Sequence, residues 1–271
     1  MRFLPCMGVL CYHAWKRRNF PLKSYTGFAE VYDAFMDNIP YDDWAKYLIA
    51  LMKLYRVPTG GQVVDLGCGT GNVTERLAKA GYRCVGIDLS VDMLSIAENK
   101  RLRDDLPILY SQQDMRTFAV PEKVDCLVSL ADAMNYLLTD KDLNLTLTAA
   151  REALKDDGVF IFDLKTIHFF QDVLADHVYA ENREDSAYIW ENFYYDETHN
   201  NEYDLSIFVK NMDGLFTRFE ETHVQHGFTT DDVKRLAEGC GFKVEAFYDA
   251  LTYDRPKKDS ERIYVVLRKK G

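Results

Sequence analysis

The sequence predicts an α/β fold: a mostly parallel sheet with helices on both faces and an antiparallel β meander inserted late in the chain. Three observations carry this. Between residues 62 and 164, five short apolar runs alternate with stretches of helical periodicity, the pattern of a parallel sheet buried between two helix layers. A turn with three glycines, Gly67-Cys68-Gly69-Thr70-Gly71, joins the first run to the helix after it. Residues 165–228 then switch to period-two alternation and hold 13 of the 36 aromatic residues, enough for a small second sheet to build its own core.

Residues 23–55 read as helical. Tyr25, Phe28, Tyr32, Phe35 and Met36 recur at three- and four-residue spacing, as do Trp44, Tyr47, Leu48 and Leu51 beyond Pro40, which separates two helices. A first strand covers 62–66. The helix over 72–80 ends at Gly81, a residue that takes positive φ without steric cost. A second strand (83–88), a helix (91–100), and a third (108–112) and fourth strand (124–130) follow. A helix over 140–154, stopped at Asp157-Gly158, leads to a fifth strand at 159–164. Residues 188–195, 203–210 and 215–226 alternate as the meander strands, parted by turn-rich segments at 196–200 and 211–214. Thr229 or Thr230 caps a helix over 229–238 closed by Gly239 and Gly241, and 242–248 and 262–268 supply two last strands. The expected organisation is a basic, poorly ordered extension over 1–22, a main domain over 23–164 and 229–271, and an inserted β cap over 165–228.

Composition removes several function classes. No apolar run reaches the ~18 residues needed to cross a bilayer, so no membrane partner is expected. The formal charge is −10, which disfavours nucleic acid, because phosphate contacts need clustered Lys and Arg. The charge is uneven, with +5 over residues 1–24 from Arg2, Lys16, Arg17, Arg18 and Lys23. The apolar run 3–12 lacks the leading charge block and small-residue cleavage site of a secretory signal. Six cysteines at scattered spacings form no zinc pattern, so no metal is expected, and free thiols point to the reducing cytoplasm. Oligomeric state is left open, a homodimer included.

The glycine turn carries the chemistry. Asp65 ends the first strand, and three glycines then let a ligand approach the backbone. The dinucleotide fingerprint is G-x-G-x-x-G, with a pyrophosphate over the helix N-terminus. Here the third glycine comes one position early and an acid stands at the strand end, which suits a ligand with an ammonium and a sulfonium better than a pyrophosphate. Asp88, ending the second strand, is placed to accept both hydroxyls of a ribose. Asp114, after the third strand, is placed to accept an adenine amino group, and Met93 offers the ring a soft apolar surface. Together these favour S-adenosylmethionine over NAD and disfavour a nicotinamide oxidoreductase.

Asp65-Leu66-Gly67-Cys68-Gly69-Thr70-Gly71, Gly86-Ile87-Asp88-Leu89-Ser90, Met93-Leu94 and Gln113-Asp114-Met115-Arg116 resemble the successive motifs of class I S-adenosylmethionine-dependent methyltransferases. The resemblance spans about residues 25–165 and resumes at 229–268. It implies a Rossmann-like sheet of seven strands with a reversed last strand and the cofactor across the strand ends. Asp65 and Gly67 would lie near the methionine part, Asp88 at the ribose, and Asp114 and Met115 at the adenine, with Gly69, Leu89 and Met93 also counted among the cofactor-binding residues. Leu130 would lie beside the sulfonium. Residues 25–33 are similar to the opening of a bacterial subgroup that contains sugar N-methyltransferases and many members of unknown substrate. In that subgroup an N-terminal tyrosine closes over the cofactor, a role that falls to Tyr25 or Tyr32.

Ala131-Asp132-Ala133-Met134-Asn135-Tyr136-Leu137 follows the fourth strand, where acceptors meet the methyl group in this fold. The Asn-Pro-Pro-Tyr of methylases that act on planar amide nitrogens is missing from it, so a small-molecule acceptor is expected. A tRNA or protein acceptor would have to use the +5 segment. Asn135 and Tyr136 are candidates either to touch the acceptor or to support the loop. A hydroxyl acceptor would need a general base. The candidates are His223 and His226, beside Glu220 and Glu221. Alternation sends the two histidines to opposite faces, so at most one looks into a cleft.

Overall fold

The computed structural model describes residues 32, 33, 35, 36 and 39–271; the 1–22 extension and Tyr25 lie outside the described residues. Helix α1 (Tyr41–Leu54) starts directly after Pro40 and buries Tyr41, Ala45, Tyr47, Leu48, Leu51 and Met52 as one stripe. Then come β1 (Gln62–Leu66), α2 (Asn72–Lys79), β2 (Arg83–Asp88), α3 (Val91–Asp104), β3 (Ile108–Gln112), β4 (Val124–Ser129), α4 (Asp140–Ala153) and β5 (Leu154–Lys165). The chain closes with α5 (Thr230–Gly239), β10 (Phe242–Asp249) and β11 (Arg262–Lys269).

These strands form one seven-stranded sheet in the order β10-β11-β5-β4-β1-β2-β3. All pairs from β5 to β3 are parallel, whereas β11 runs antiparallel to both β5 and β10. The expected seven-stranded sheet with a reversed last strand is therefore present. Its two faces are separately covered. Val73, Leu77 and Ala78 of α2 pack on one face with Leu48 and Leu51 of α1; Leu143 and Leu147 of α4 pack on the other with Val233 and Leu236 of α5. The parallel strand ends carrying Asp65, Asp88 and Gln112 thus share one edge of the sheet.

Residues 165–228 fold as a second, four-stranded antiparallel sheet of β6 (Val178–Asn182), β7 (Ser186–Tyr195), β8 (Asn200–Lys210) and β9 (Phe216–His226). It leaves and rejoins the main sheet beside the end of β5. One face is buried, with Tyr203, Leu205 and Ile207 packed on Phe35, Tyr32, Tyr188 and Trp190. Two features depart from the sequence expectation. β6 is mostly exposed, so its residues show no apolar alternation. β5 begins five residues early because Leu154 pairs with Val124 before the chain bulges and resumes at Val159 opposite Cys126; Asp157, at φ +62°, sits in that bulge instead of ending the helix.

Candidate active site

The glycine turn has a backbone only glycine accepts easily. Gly67 and Gly71 stand at φ +69° and +82°, and a Cβ on Gly67 would come within 2.5 Å of the Ala133 side chain. Asp65 enters this turn fully buried. The Thr74 hydroxyl, one turn into α2, donates to its Oδ2 at 2.6 Å. Burial, with the Asp88 charge adding to it, pushes the Asp65 carboxyl up to about 7. Asp88 stitches the next piece, accepting from the backbone N–H of Gly69 and of Ser90, each at 2.8 Å. Ser90 in turn caps α3 by accepting from the Met93 N–H.

A cleft of about 620 Å³ runs along this edge of the sheet. Asp65, Gly67 and Gly69 line one stretch; Asp88, Leu89 and Met93 line the next; Asp114 and Met115 line the far stretch; Leu130 and Tyr136 line the side toward β4. Asp114 is held by the Arg116 guanidinium, which also reaches Asp142, and these contacts keep the Asp114 carboxyl below the usual carboxylate range. Tyr32 lines the cleft. Its anchors carry no sequence signature. Tyr41 also lines the cleft and hydrogen-bonds the Tyr32 side chain. Asp33 accepts from the Thr70 hydroxyl at 2.6 Å, from Asn72 at 2.9 Å and from Lys100 at 2.9 Å, tying this segment to the glycine turn.

The loop after β4 is strained and locked. Ala131 and Asp132 both take the left-handed conformation, at φ +60° and +56°. Buried Asp163 on β5 accepts both of their N–H groups, at 3.2 and 2.9 Å. Arg262 on β11 bonds both carboxylates, Lys165 lies 3.1 Å from Asp132, and Gln225 of the second sheet donates to Asp132 at 2.7 Å. Burial alone would raise the Asp132 pKa, but the Lys165 and Arg262 charges hold it below its ordinary value. None of Asp132, Asp163, Lys165, Gln225 and Arg262 was singled out from sequence, since their contacts join positions up to 130 residues apart.

The structure separates the alternatives left open for Asn135 and for the two histidines. Asn135 is fully buried and does not line the cleft; its amide donates to the carbonyls of Lys165 and His226 and its oxygen accepts from Lys165 N–H, so it supports the loop. His226 faces Asn200 Oδ1 at 2.8 Å and packs on Phe228, away from the cleft, and burial lowers its pKa. His223 lies on the other, buried face, 3.1 Å from the Tyr136 hydroxyl and 3.0 Å from Glu221.

S-adenosylmethionine fits these groups. Nothing lies within 4 Å of where a Cβ would stand on Gly69, so a ligand can approach the backbone there, and Asp65, Asp88 and Asp114 are three acids lining the same cleft. Among the described residues no group of three His, Cys, Asp or Glu side chains is arranged to hold a metal. The model of the methyltransferase domain family matches residues 63–158, which hold β1 to β4 and the glycine turn. YqeM, a methyltransferase-family protein of Bacillus subtilis (strain 168), is 36% identical over 246 residues, 90% of this chain and 97% of its own length. A dTDP-3-amino-3,4,6-trideoxy-alpha-D-glucopyranose N,N-dimethyltransferase of Streptomyces venezuelae is 33% identical over 136 residues, 50% of this chain and 56% of its own. The crystal structure of an S-adenosylmethionine-dependent methyltransferase from Clostridium acetobutylicum superposes with a TM-score of 0.82 at 27% identity, covering 91% of this chain and 99% of that one. With the cleft, its three acids and the reversed strand all in place, the chain belongs to the S-adenosylmethionine-dependent methyltransferases.

Proposed function

We propose that the enzyme methylates a small-molecule nucleophile held between the loop after β4 and the second sheet, which acts as a cap. The observation that carries this is the meeting of the two sheets at Tyr136. That side chain lines the cofactor cleft and hydrogen-bonds Tyr203 on the buried face of the cap, which brings the second sheet to the Leu130 side of the cleft and supports a small acceptor there. The net charge of −10 and the amino-sugar substrate named for the Streptomyces venezuelae relative support the same reading. The four described cysteines are free, which suits a reducing compartment, and no described helix is long and apolar enough to cross a membrane.

When bound, the cofactor supplies a methyl group already activated on a sulfonium. The chain's own residues then hold, orient and exclude water. In this reading Asp65 and the turn at Gly67 and Gly69 hold the methionine part, Asp88 and Leu89 the ribose, and Met93, Asp114 and Met115 the adenine. Tyr32, anchored by Tyr41, closes the cleft, and Leu130 and Tyr136 border the acceptor.

Titration calorimetry with S-adenosylmethionine tests the cofactor assignments. The wild type should bind, and Asp88→Ala should bind at least about 10-fold more weakly, the consequence of losing charge-assisted hydrogen bonds of about 1.5–3 kcal/mol. Transfer from methyl-tritiated S-adenosylmethionine to fractionated cell extract tests the acceptor. Label is expected in the small-molecule fraction; label confined to RNA or protein would overturn the proposal.

A further inference from the structure

We propose that Tyr136, His223 and Glu221 form a proton relay that accepts the proton of a hydroxyl acceptor while its oxygen is methylated; this rests on the function proposed above. Tyr136 borders the cleft beside Leu130 and Ala131. Its hydroxyl lies 3.1 Å from His223 Nδ1, and His223 Nε2 lies 3.0 Å from Glu221 Oε2. The imidazole and carboxylate are sealed from water, with 1% and 2% of their side-chain surface exposed. Tyr203 stacks on the imidazole, 4.9 Å between centroids and 16° between planes, and places its own hydroxyl 2.8 Å from that of Tyr136. A carboxylate can only accept, so Glu221 selects the tautomer with the proton on Nε2. Nδ1 is then the acceptor that faces the tyrosine.

The order is that of an activated site, with the group at the cleft, a base behind it and an acid orienting the base. Its presence bears on the acceptor class. An amine loses its proton to solvent before binding and attacks through a free lone pair, whereas a hydroxyl keeps its proton until the bond forms. A buried relay therefore serves a hydroxyl more than an amine that arrives already neutral. The acceptor oxygen bonds the methyl carbon as the carbon–sulfur bond breaks and leaves its electron pair on sulfur. The acceptor's proton passes to Tyr136 Oη while the tyrosine's own proton passes to His223 Nδ1. One positive charge disappears from sulfur and one arises on the imidazole, where the Glu221 carboxylate stabilises it. Tyr136 is the catalytic residue; His223 and Glu221 are positioning residues that act through it.

Two measurements on the full chain test this, and the first needs no turnover. Long-range proton–nitrogen NMR of labelled protein at neutral pH, assigned with His223→Gln, reads the His223 tautomer. The relay requires a neutral ring protonated at Nε2; a ring protonated at Nδ1, or at both nitrogens, overturns it. The second is methyl transfer from tritiated S-adenosylmethionine to a small-molecule extract cleared of protein and RNA. Label is expected in a methyl ether. Tyr136→Phe and His223→Gln, with their folding checked by melting temperature, should be about 10²–10⁴-fold slower, the usual range for lost acid–base catalysis. Glu220→Gln, on the exposed face next door, should keep the wild-type rate. Label in an N-methyl amine, or an undiminished rate in His223→Gln, overturns the relay and leaves the methyltransferase function standing. Absence of S-adenosylmethionine binding by the wild type would overturn the function itself.

Discussion

In the proposed reading Asp65 meets opposed demands from folding and from binding. Its carboxyl is buried against Thr74 with a pKa of about 7, against about 3.9 in an unfolded chain. Between those values the folded state holds a proton that the unfolded chain has released. Asp65 therefore costs stability progressively as pH rises from about 4 to 7, and by a constant amount above that. Asp65→Asn keeps an acceptor for Thr74 without the charge. The variant without ligand should melt higher at pH 8, by about 5 °C for a relief on the order of 2 kcal/mol. A cationic ligand wants the opposite. Wild-type affinity for S-adenosylmethionine should rise as pH rises through 7, while Asp65→Asn should bind weakly at every pH; calorimetry across that range checks both, and a flat wild-type profile would refute the assignment. Asp65 and Asp88 could be singled out in the sequence because each ends an apolar strand beside a glycine, and Asp114 because it follows the third strand. Asp33, Asp132 and Asp163 were not, because their roles arise from partners distant along the chain.

At the scale of elements, the turns carry the specificity. Gly67→Ala would force a left-handed alanine against Ala133. It should lose cofactor binding below detection while the helices and far strands keep their circular dichroism; retained affinity would show that the turn can shift. Asn135 makes a different kind of link, bonding the loop to both β5 and the end of β9. Asn135→Ala leaves buried backbone groups unpaired and should cost about 2–4 kcal/mol in a denaturant melt. Its effect on affinity should follow from the loosened loop, since Asn135 lies off the cleft. The central strands of the main sheet could be read from their apolar runs because both faces are buried. β6 could not, since an edge strand exposed on both faces leaves no periodic signature. Helix α3 runs a turn beyond its expected end because its stop, Asp105 in the left-handed conformation at φ +49°, is not a glycine.

In the whole molecule two sheets meet around the loop after β4, through Tyr136, Asn135 and Asp132. Sequence patterning revealed both sheets, but it could not say which cap face looks inward, because aromatics occupy both faces of its strands. Phe35, Tyr203 and Leu205 answer this by packing together on the inner face. Gln225 reaches from that face to Asp132, within the ion cluster that holds the strained turn under Ala131. Gln225→Ala should speed hydrogen exchange of cap amides 200–226 and weaken cofactor binding several-fold, with little change in the melting of the main sheet; unchanged exchange would mean that the cap is held elsewhere. The Asp132 bond also has a thermodynamic consequence. If seating the cap and filling the cleft both favour the same arrangement of one turn, each must strengthen the other by the same factor. The factor by which S-adenosylmethionine tightens the acceptor should equal the factor by which the acceptor tightens S-adenosylmethionine, and removing Gln225 should bring both toward one.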